Sequence, residues 1–380
     1  MRIVDLFAGA GGLSYGFCSA GFDVDLAIEV DAWAHQTYVE NHPNVNAICE
    51  DITLLPDSFF EKYKGADAVV GGPPCQGFSI AASNRRDPND KRNFLYREFL
   101  RVVKIVEPSF VMIENVKEIA TKKNEHGKTI LSEIIETLEQ LGYLVTHDIL
   151  NTRDFQIPQE RKRFFLLASK YNKPVMPAKS ATEITLWDAI SDLPEVTPRK
   201  HKEGDLFDYG LPTPDNKFQA QMRGTSSKVS HHIPMRHTDR IIDRFAQIKL
   251  DNSVDKLDIS FQPRKRGNSS ELSGKTYSQN HRRLDPNKPS KTITASFYSS
   301  FIHPYQNRNL TVREAARIQT FPDSYYFHGL RTRLSHKLLA KKGIHHEMHL
   351  DQFNQVGNAV PPKMAELLAK QLLASKGDNK

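Results

Sequence analysis

The sequence contains few cysteines and no long apolar run. Its 380 residues include three cysteines, Cys18, Cys49 and Cys75, an odd number without paired spacing. This argues against a disulfide framework or a zinc ribbon, and it predicts a reducing, cytoplasmic setting. No run approaches the roughly 18 apolar residues that a membrane span requires, and the first residues, MRIVDLFAGAGG, are not typical of a signal peptide. We therefore expect no membrane partner.

The sequence also lacks an excess of acidic residues. Lys and Arg number 52 against 45 Asp and Glu, so the formal net charge is +7. A positive excess favours a polyanionic partner such as nucleic acid, although many basic proteins bind none. A chain of this length predicts two domains, or one domain with a large insertion.

Strand-like and helix-like patterns alternate in the first part of the chain. Candidate strands are residues 3–7, 24–30, 46–50, 67–70, 110–113, 143–150 and 163–168, and candidate helices include 32–40, 94–105 and 130–141. This alternation predicts an α/β domain with a mostly parallel sheet. After residue 172 the sequence turns polar and irregular, which predicts a second, smaller, loop-rich domain. Helical order returns at 310–321, and a C-terminal helix could return to the first domain.

A glycine-rich turn, DLFAGAGG, follows the first predicted strand. It places Gly9, Gly11 and Gly12 before a helix, where small residues let a ligand approach backbone N–H groups. Glu29 ends the second strand, where an acid can bind ribose hydroxyls, and Asp51 follows the third run and could meet an adenine amino group. The turn alone is as compatible with an ordinary strand–helix connection. Together these residues predict a nucleoside-containing cofactor, with NAD as an alternative.

Cys75 lies in GGPPCQGFS, directly after the fourth predicted strand. Open α/β sheets bind their ligands at this carboxyl edge. Two prolines before the cysteine and Gln-Gly after it predict a stiff, exposed turn. This context favours a reactive thiolate over a buried structural cysteine.

Charged residues end the two predicted strands that follow. Glu114, in FVMIENV, is either a capping or surface carboxylate or a group held beside Cys75, and Asn115 after it favours the second interpretation. Arg161 and Arg163, in FQIPQERKRFF, suit recognition of an anion or a carbonyl group by planar guanidinium groups. A solvated edge is the alternative for these arginines.

Six motifs, in this order, resemble the motif set of the C5-cytosine DNA methyltransferases. They are DLFAGAGG, GGPPCQGFS, ENV, QERKR, LTVREAARIQTFP and QVGNAVP. The resemblance covers nearly the whole chain, except residues 175 to 280 or so. It implies a Rossmann-like S-adenosylmethionine-dependent sheet over residues 1–175 that is completed by the tail 351–376. It also implies a target-recognition domain over 176–330, followed by a basic insertion at 331–350.

S-adenosylmethionine is the cofactor that this resemblance implies. Glu29 would hold the ribose, Asp51 and Ile52 the adenine, and Asn358 the methionine end. The implied cofactor residues are Phe7, Gly9, Gly11, Gly12, Glu29, Val30, Asp51, Ile52, Pro74 and Asn358.

The resemblance further implies a covalent mechanism. The Cys75 thiolate would add to C6 of a cytosine flipped out of duplex DNA, which makes C5 nucleophilic toward the sulfonium methyl group. Glu114 would hydrogen-bond N3 and the amino group of the base. Arg163 would contact its carbonyl group, and Arg161 would support the loop or a phosphate. The modified sequence would be protected from a cognate restriction endonuclease that acts separately.

Contacts to double-stranded DNA are expected from the loop after Cys75 and from the polar region between about residues 200 and 280. The candidates are Ser79, Arg85, Arg86, Arg92, Arg264, Lys265, Arg266 and Gln279. Two alternatives stay open: a tRNA cytosine-C5 methyltransferase and a non-catalytic DNA-binding protein on this fold. The long basic region favours duplex DNA, and the intact Cys75, Glu114 and Arg163 favour catalysis. HHEMH in the insertion is not HExxH, so we expect no metal, and we expect a monomer.

Overall fold

The structure is a computed structural model that describes residues 1–74, 94–265, 268–273, 280–332, 334 and 336–377. The chain divides into two compact units. Unit 1 comprises residues 1–155, 161–181 and 359–380, and unit 2 comprises residues 156–160 and 182–358. Within the described ranges, no helix combines the length and the apolar character needed to cross a membrane.

Strands and helices alternate through unit 1, whereas unit 2 is built from short elements. The strands are β1 (Arg2–Leu6), β2 (Asp23–Glu29), β3 (Asn46–Cys49), β4 (Ala68–Gly71), β5 (Phe110–Asn115), β6 (Leu144–Asn151), β7 (Gln159–Glu160), β8 (Lys162–Ser169), β9 (Arg264–Lys265), β10 (Asn268–Leu272), β11 (Arg282–Arg283), β12 (Ser290–Lys291) and β13 (Phe301–Ile302). The helices are α1 (Gly12–Ser19), α2 (Ala32–Asn41), α3 (Asp57–Glu61), α4 (Leu95–Val106), α5 (Ile130–Gln140), α6 (Leu186–Ile190), α7 (Lys217–Arg223), α8 (Asp239–Ala246), α9 (Val312–Ile318), α10 (His336–Lys341), α11 (Gln352–Asn358) and α12 (Pro362–Ser375).

Unit 1 is organised around a seven-stranded sheet of order β3-β2-β1-β4-β5-β8-β6. The strands from β3 through β5 in this order pair parallel, and β8 pairs antiparallel with both β5 and β6. The central strands are apolar along nearly their whole length and almost completely buried, as expected where both faces of a sheet are covered. The predicted α/β fold with a mostly parallel sheet is confirmed.

The C-terminal helix α12 packs on α1 within unit 1. A β-carbon added at Gly16 would lie 2.3 Å from the carbonyl oxygen of Pro362 and 2.4 Å from the β-carbon of Ala365. Only glycine permits so close an approach of the two helices. The tail of the chain therefore completes the unit that its first residues begin.

The core of unit 2 contains a helix with buried ion pairs. Helix α9 begins with a capping box, in which Thr311 Oγ1 accepts a hydrogen bond from the Glu314 N–H and Glu314 Oε2 accepts one from the Thr311 N–H. Glu314 also pairs with Arg308 at 2.7 Å, and both side chains are 1% exposed. Farther along, Arg317 forms buried ion pairs with Asp192 and Asp323. Such charges are tolerated in a core only when they are paired and hydrogen-bonded.

Unit 2 also buries neutral histidines. Nε2 of His232 donates to the carbonyl oxygen of Pro194 at 2.8 Å, and Nδ1 lies 2.9 Å from Thr311 Oγ1. Burial lowers the pKa of His232 and of His237 to about 4, and that of His303 to about 3. Charging any of these rings in the folded state would place a proton where it is not solvated.

We expect the stability of unit 2 to fall as the pH drops from 6.5 toward 4. In this window the unfolded chain protonates these histidines and the folded chain does not, so each one costs about 1.4 kcal/mol per pH unit. Urea unfolding followed at pH 7.5, 6 and 5 measures this effect. His237→Gln should flatten the pH dependence, with His126→Gln at an exposed histidine as the matched control. Equal pH dependence in all three proteins would contradict the prediction.

Candidate active site

Four strand ends meet at one edge of the unit 1 sheet. Leu6 of β1 is level with Ile28 of β2 and with Gly71 of β4. Gly71 is in turn level with Ile113 of β5. Because these strands are parallel, the next residue of each emerges at the same edge of the sheet. Those residues are Phe7, Glu29, Gly72 and Glu114. The register therefore brings the predicted cofactor turn and the predicted catalytic carboxyl to one edge.

The glycine turn after β1 is left-handed at three positions. Phe7, Gly9 and Gly11 have φ angles of 60°, 57° and 86°. Glycine adopts this conformation without strain, whereas Phe7 is a non-glycine residue of the kind found in strained, functional turns. A β-carbon added at Gly9 would meet no described heavy atom within 4 Å. The turn thus leaves open space beside its backbone.

The carboxylate of Glu29 connects this turn to the next helix. Its Oε2 accepts a hydrogen bond from the Gly9 N–H at 2.7 Å, and its Oε1 accepts one from the Asp31 N–H at 2.8 Å. Burial raises the pKa of Glu29, and these two hydrogen bonds oppose the shift. Glu29 is therefore held in one orientation at the sheet edge.

The other predicted cofactor residues lie at neighbouring strand ends or close to the return of the chain. Val30 follows β2 and is 65% exposed, whereas Ile52 is buried. Asp51 Oδ1 accepts a hydrogen bond from the Thr53 N–H at 2.9 Å and so caps a short turn after β3. Pro74 lies three residues after β4 and is the last described residue before position 94. Asn358 is exposed at the end of α11 in unit 2, one residue before the chain re-enters unit 1.

A buried acid behind the glycine turn escaped the sequence analysis. Asp5 on β1 is 1% exposed, and its Oδ2 accepts a hydrogen bond from Ser14 Oγ at 2.6 Å. Ser14 Oγ lies 2.7 Å from the Tyr38 hydroxyl, so the three side chains connect β1, α1 and α2. Oδ1 of Asp5 meets no hydrogen-bond donor in the described chain. Burial raises the pKa of Asp5 to about 7, and the nearby charge of Glu29 adds to the shift. The only signal in the sequence was an acid inside an apolar run.

The proline turn is fixed to the neighbouring strand. The Asn115 side chain donates a hydrogen bond to the carbonyl oxygen of Pro73 at 2.9 Å. A β-carbon added at Gly72 would lie 3.1 Å from Glu114 Oε2, so the backbone passes close to that carboxyl. The turn that leads to residue 75 is therefore anchored beside Glu114.

Glu114 lies in a positive environment. Its Oε1 is 3.2 Å from Nε of Arg163, and the two side chains are 14% and 21% exposed. Burial raises the pKa of Glu114, and the charges of Arg163 and Arg161 oppose the shift. Burial lowers the pKa of Arg161, which is 1% exposed. The structure thus brings together three of the four predicted catalytic residues within unit 1.

Several predicted site residues fall outside the described ranges. They are Cys75, Ser79, Arg85, Arg86, Arg92, Arg266 and Gln279. Of the predicted DNA-reading residues that are described, Arg264 donates to the carbonyl oxygens of Ser270 and Ile259 at 3.4 and 3.3 Å. Lys265 on β9 pairs with Glu271 on the antiparallel strand β10. The described His, Cys, Asp and Glu residues form no group of three that could hold a metal ion.

Comparison with known proteins identifies relatives along the whole chain. Residues 1–374 match the model of the C-5 cytosine-specific DNA methylase family. The Type II methyltransferase M.DdeI of Desulfomicrobium norvegicum is 44% identical over 98% of this chain and 88% of its own length. The Type II methyltransferase M1.HphI of Haemophilus parahaemolyticus is 35% identical over 98% of this chain and 87% of its own length.

Solved structures share the fold. A candidate DNA modification methyltransferase from an E. coli prophage aligns with a TM-score of 0.75 at 27% identity, over 98% of this chain and 99% of that chain. A DNMT2 variant from Spodoptera frugiperda aligns with a TM-score of 0.57 at 17% identity, over 98% of this chain and 99% of that chain. The second likeness concerns the fold alone.

We expect Asp5→Asn to stabilise the protein increasingly as the pH rises. The unfolded wild-type chain ionises Asp5 near pH 3.8 and the folded chain only near pH 7. Wild-type stability is therefore lost across that window, by about 1.4 kcal/mol per pH unit, whereas an amide does not ionise. The difference in unfolding free energy between variant and wild type should grow from pH 5 to 7 and then level off. Asp23→Asn, at an exposed position, is the matched control, and parallel stability curves would refute the assignment.

Proposed function

The chain belongs to the C-5 cytosine-specific DNA methylase family and is a DNA cytosine-5 methyltransferase, and we propose from this premise that it methylates one specific duplex sequence with S-adenosylmethionine as donor. Names of relatives as Type II methyltransferases support a role in restriction–modification. In that role the methylated sequence resists a cognate endonuclease that acts as a separate protein.

The sheet edge of unit 1 fits the cofactor. The glycine turn offers open space beside Gly9, and the fixed carboxylate of Glu29 suits ribose hydroxyls. Val30 is exposed and offers adenine an apolar contact. The turn at Asp51 and Ile52, which the Asp51 carboxylate caps, offers a polar one. Phe7, Gly11, Gly12, Pro74 and Asn358 complete the proposed set. S-adenosylmethionine supplies an electrophilic methyl group on a positively charged sulfur.

The pair of Glu114 with Arg163 is the observation that carries the proposal. Cytosine C5 becomes nucleophilic only after a thiolate adds at C6, and that addition places negative charge on N3. A carboxyl whose pKa is raised by burial can keep a proton and donate it in a hydrogen bond to N3. Arg163, 3.2 Å from this carboxyl, offers N–H groups to the base carbonyl, and Arg161 supports the pair through its charge.

The proposed reaction passes through a covalent bond between Cys75 and the cytosine ring. The Cys75 thiolate forms a bond to C6, and C5 takes the methyl group while the bond between methyl carbon and sulfonium sulfur breaks. A water molecule acting as base then removes the C5 proton. The electrons of that C–H bond restore the ring double bond as the bond from C6 to Cys75 breaks. Because C6 is inaccessible in a stacked duplex, the cytosine must leave the helix, at a cost of a few kcal/mol or so.

We expect Cys75→Ala to abolish methyl transfer, a loss of about 10³-fold or more, because the ring is then never activated. Binding of S-adenosylmethionine should persist, since the proposed cofactor contacts come from other residues. Transfer of labelled methyl groups to DNA and calorimetric titration with the cofactor measure the two properties. Cys18→Ala changes a cysteine outside the proposed site and serves as control. Appreciable turnover by Cys75→Ala would refute the thiolate mechanism.

Duplex DNA and tRNA substrates distinguish the proposed function from its nearest alternative. We expect wild-type protein to methylate duplex DNA and to form a covalent adduct with duplex DNA that carries 5-fluorocytosine, because fluorine cannot leave as the C5 proton does. Denaturing gels detect that adduct, and bisulfite sequencing identifies the methylated position. Activity on tRNA alone would replace the DNA assignment. An absent adduct with wild-type protein would favour a non-catalytic DNA-binding protein.

A further inference from the structure

Unit 2 contains a cavity of about 350 Å³ that basic side chains line. They come from three segments of the chain: Arg199 and Lys202 from the first, Arg236 from the second, and Arg331 from the third. Among the described residues of the lining, Glu203 supplies the one carboxylate. We propose that this cavity binds a backbone phosphate of the DNA substrate, an assignment that rests on the proposed function and extends it to a second contact.

Arg331 is the fixed element of the cavity. Its Nη1 donates to the carbonyl oxygens of Ile233 and Pro234, each at 2.7 Å, and its Nη2 lies 3.0 Å from Glu203 Oε1. The side chain is 12% exposed, and its Nε is buried without an acceptor among the described residues. Arg331 therefore joins the three segments, and it is also the first residue of the basic insertion.

Two cations of the cavity remain without a carboxylate partner. Arg199 pairs with Asp239, and Arg331 pairs with Glu203. Lys202 and Arg236 are exposed and form no ion pair with the described residues. Burial lowers the pKa of Arg331, the charge of Glu203 opposes this shift, and the charge of Arg236 adds to it. An anion bound in the cavity would offset the like charges of Arg236 and Arg331.

The cavity is better suited to a phosphodiester group, which stays partly exposed to solvent, than to a small anion that must be fully buried. The guanidinium group of arginine and the ammonium group of lysine commonly contact DNA phosphates. A backbone phosphate stays partly solvated when a protein binds it. This agrees with the exposure of Lys202 and Arg236, which lie beside the fixed side chain of Arg331. Such a contact carries no sequence information and contributes affinity that depends on salt concentration.

We expect Lys202→Ala and Arg236→Ala each to weaken DNA binding to a similar degree on all sequences. Each should reduce the slope of log affinity against log salt concentration by about one, as loss of a phosphate contact does. Fluorescence anisotropy of a labelled duplex across a salt series measures that slope. Lys217→Ala, which removes an exposed charge of unit 2 outside the cavity lining, should leave the slope unchanged. Glu203→Gln should tighten binding, because it removes the competing carboxylate from Arg331.

A second measurement identifies the source of the phosphate. Thermal unfolding in inorganic phosphate and in chloride at equal ionic strength reports whether free phosphate stabilises the protein. A reduced slope in Lys202→Ala and Arg236→Ala supports the DNA contact. Stabilisation by phosphate with an unchanged DNA slope overturns the DNA assignment in favour of a free anion. If phosphate does not stabilise the protein and the DNA slope is unchanged, the cavity is not a phosphate site. An equal slope change in Lys217→Ala would lead to the same conclusion.

The methylation assay separates this inference from the proposed function. In that assay the two cavity variants should need a higher DNA concentration than wild type to reach half of their maximal rate, because each lacks a proposed phosphate contact. Wild-type protein that fails to methylate DNA would refute the proposed function, while the phosphate-dependent unfolding would still test the cavity.

Discussion

The hydrogen bond from the Asn115 side chain to the carbonyl oxygen of Pro73 is the constraint on which the proposed site depends. It connects the end of β5 to the turn after β4, so Glu114 and the segment that leads to Cys75 share one rigid frame. Gly72 makes this possible, since a β-carbon there would press against the Glu114 carboxyl at 3.1 Å. Gly72 and the carbonyl oxygen of Pro73 thus contact β5, whereas a β-carbon added at Gly71 would lie 2.2 Å from the carbonyl oxygen of Leu6 on β1.

The sequence predicted those parts of the fold that local pattern controls. Apolar runs such as AVV and FVMI are buried along their length. The ends of these strands could therefore be predicted without knowing which strands lie beside them. For the same reason Glu29 and Glu114 were recognisable, because each is the first acid after such a run. Parallel pairing then places strand ends at one edge, which made the site predictable as a group.

What the sequence could not predict are contacts between segments that lie far apart. Asp5 contacts Ser14, which in turn contacts Tyr38, so residues of three different elements form one buried cluster. The carbonyl oxygens that hold Arg331 are 98 and 97 residues away along the chain. Arg317 pairs with Asp192 across 125 residues. No periodicity or motif encodes such contacts, because neither partner alone carries a sequence pattern that identifies the other.

Two pairs of arginine and glutamate, one fully buried and one partly buried, differ in the pKa of their carboxyl group. Glu314 accepts two hydrogen bonds from Arg308 and one from its own helix start, and these interactions hold its pKa well below the ordinary value despite complete burial. Glu114 faces Arg163 at 3.2 Å, and burial still keeps its pKa raised. A carboxylate whose ion pair and hydrogen bonds outweigh its burial stabilises a core, whereas one whose pKa burial keeps raised is a candidate for acid–base chemistry. By this criterion the α9 pair is structural and the pair at the end of β5 is suited to chemistry.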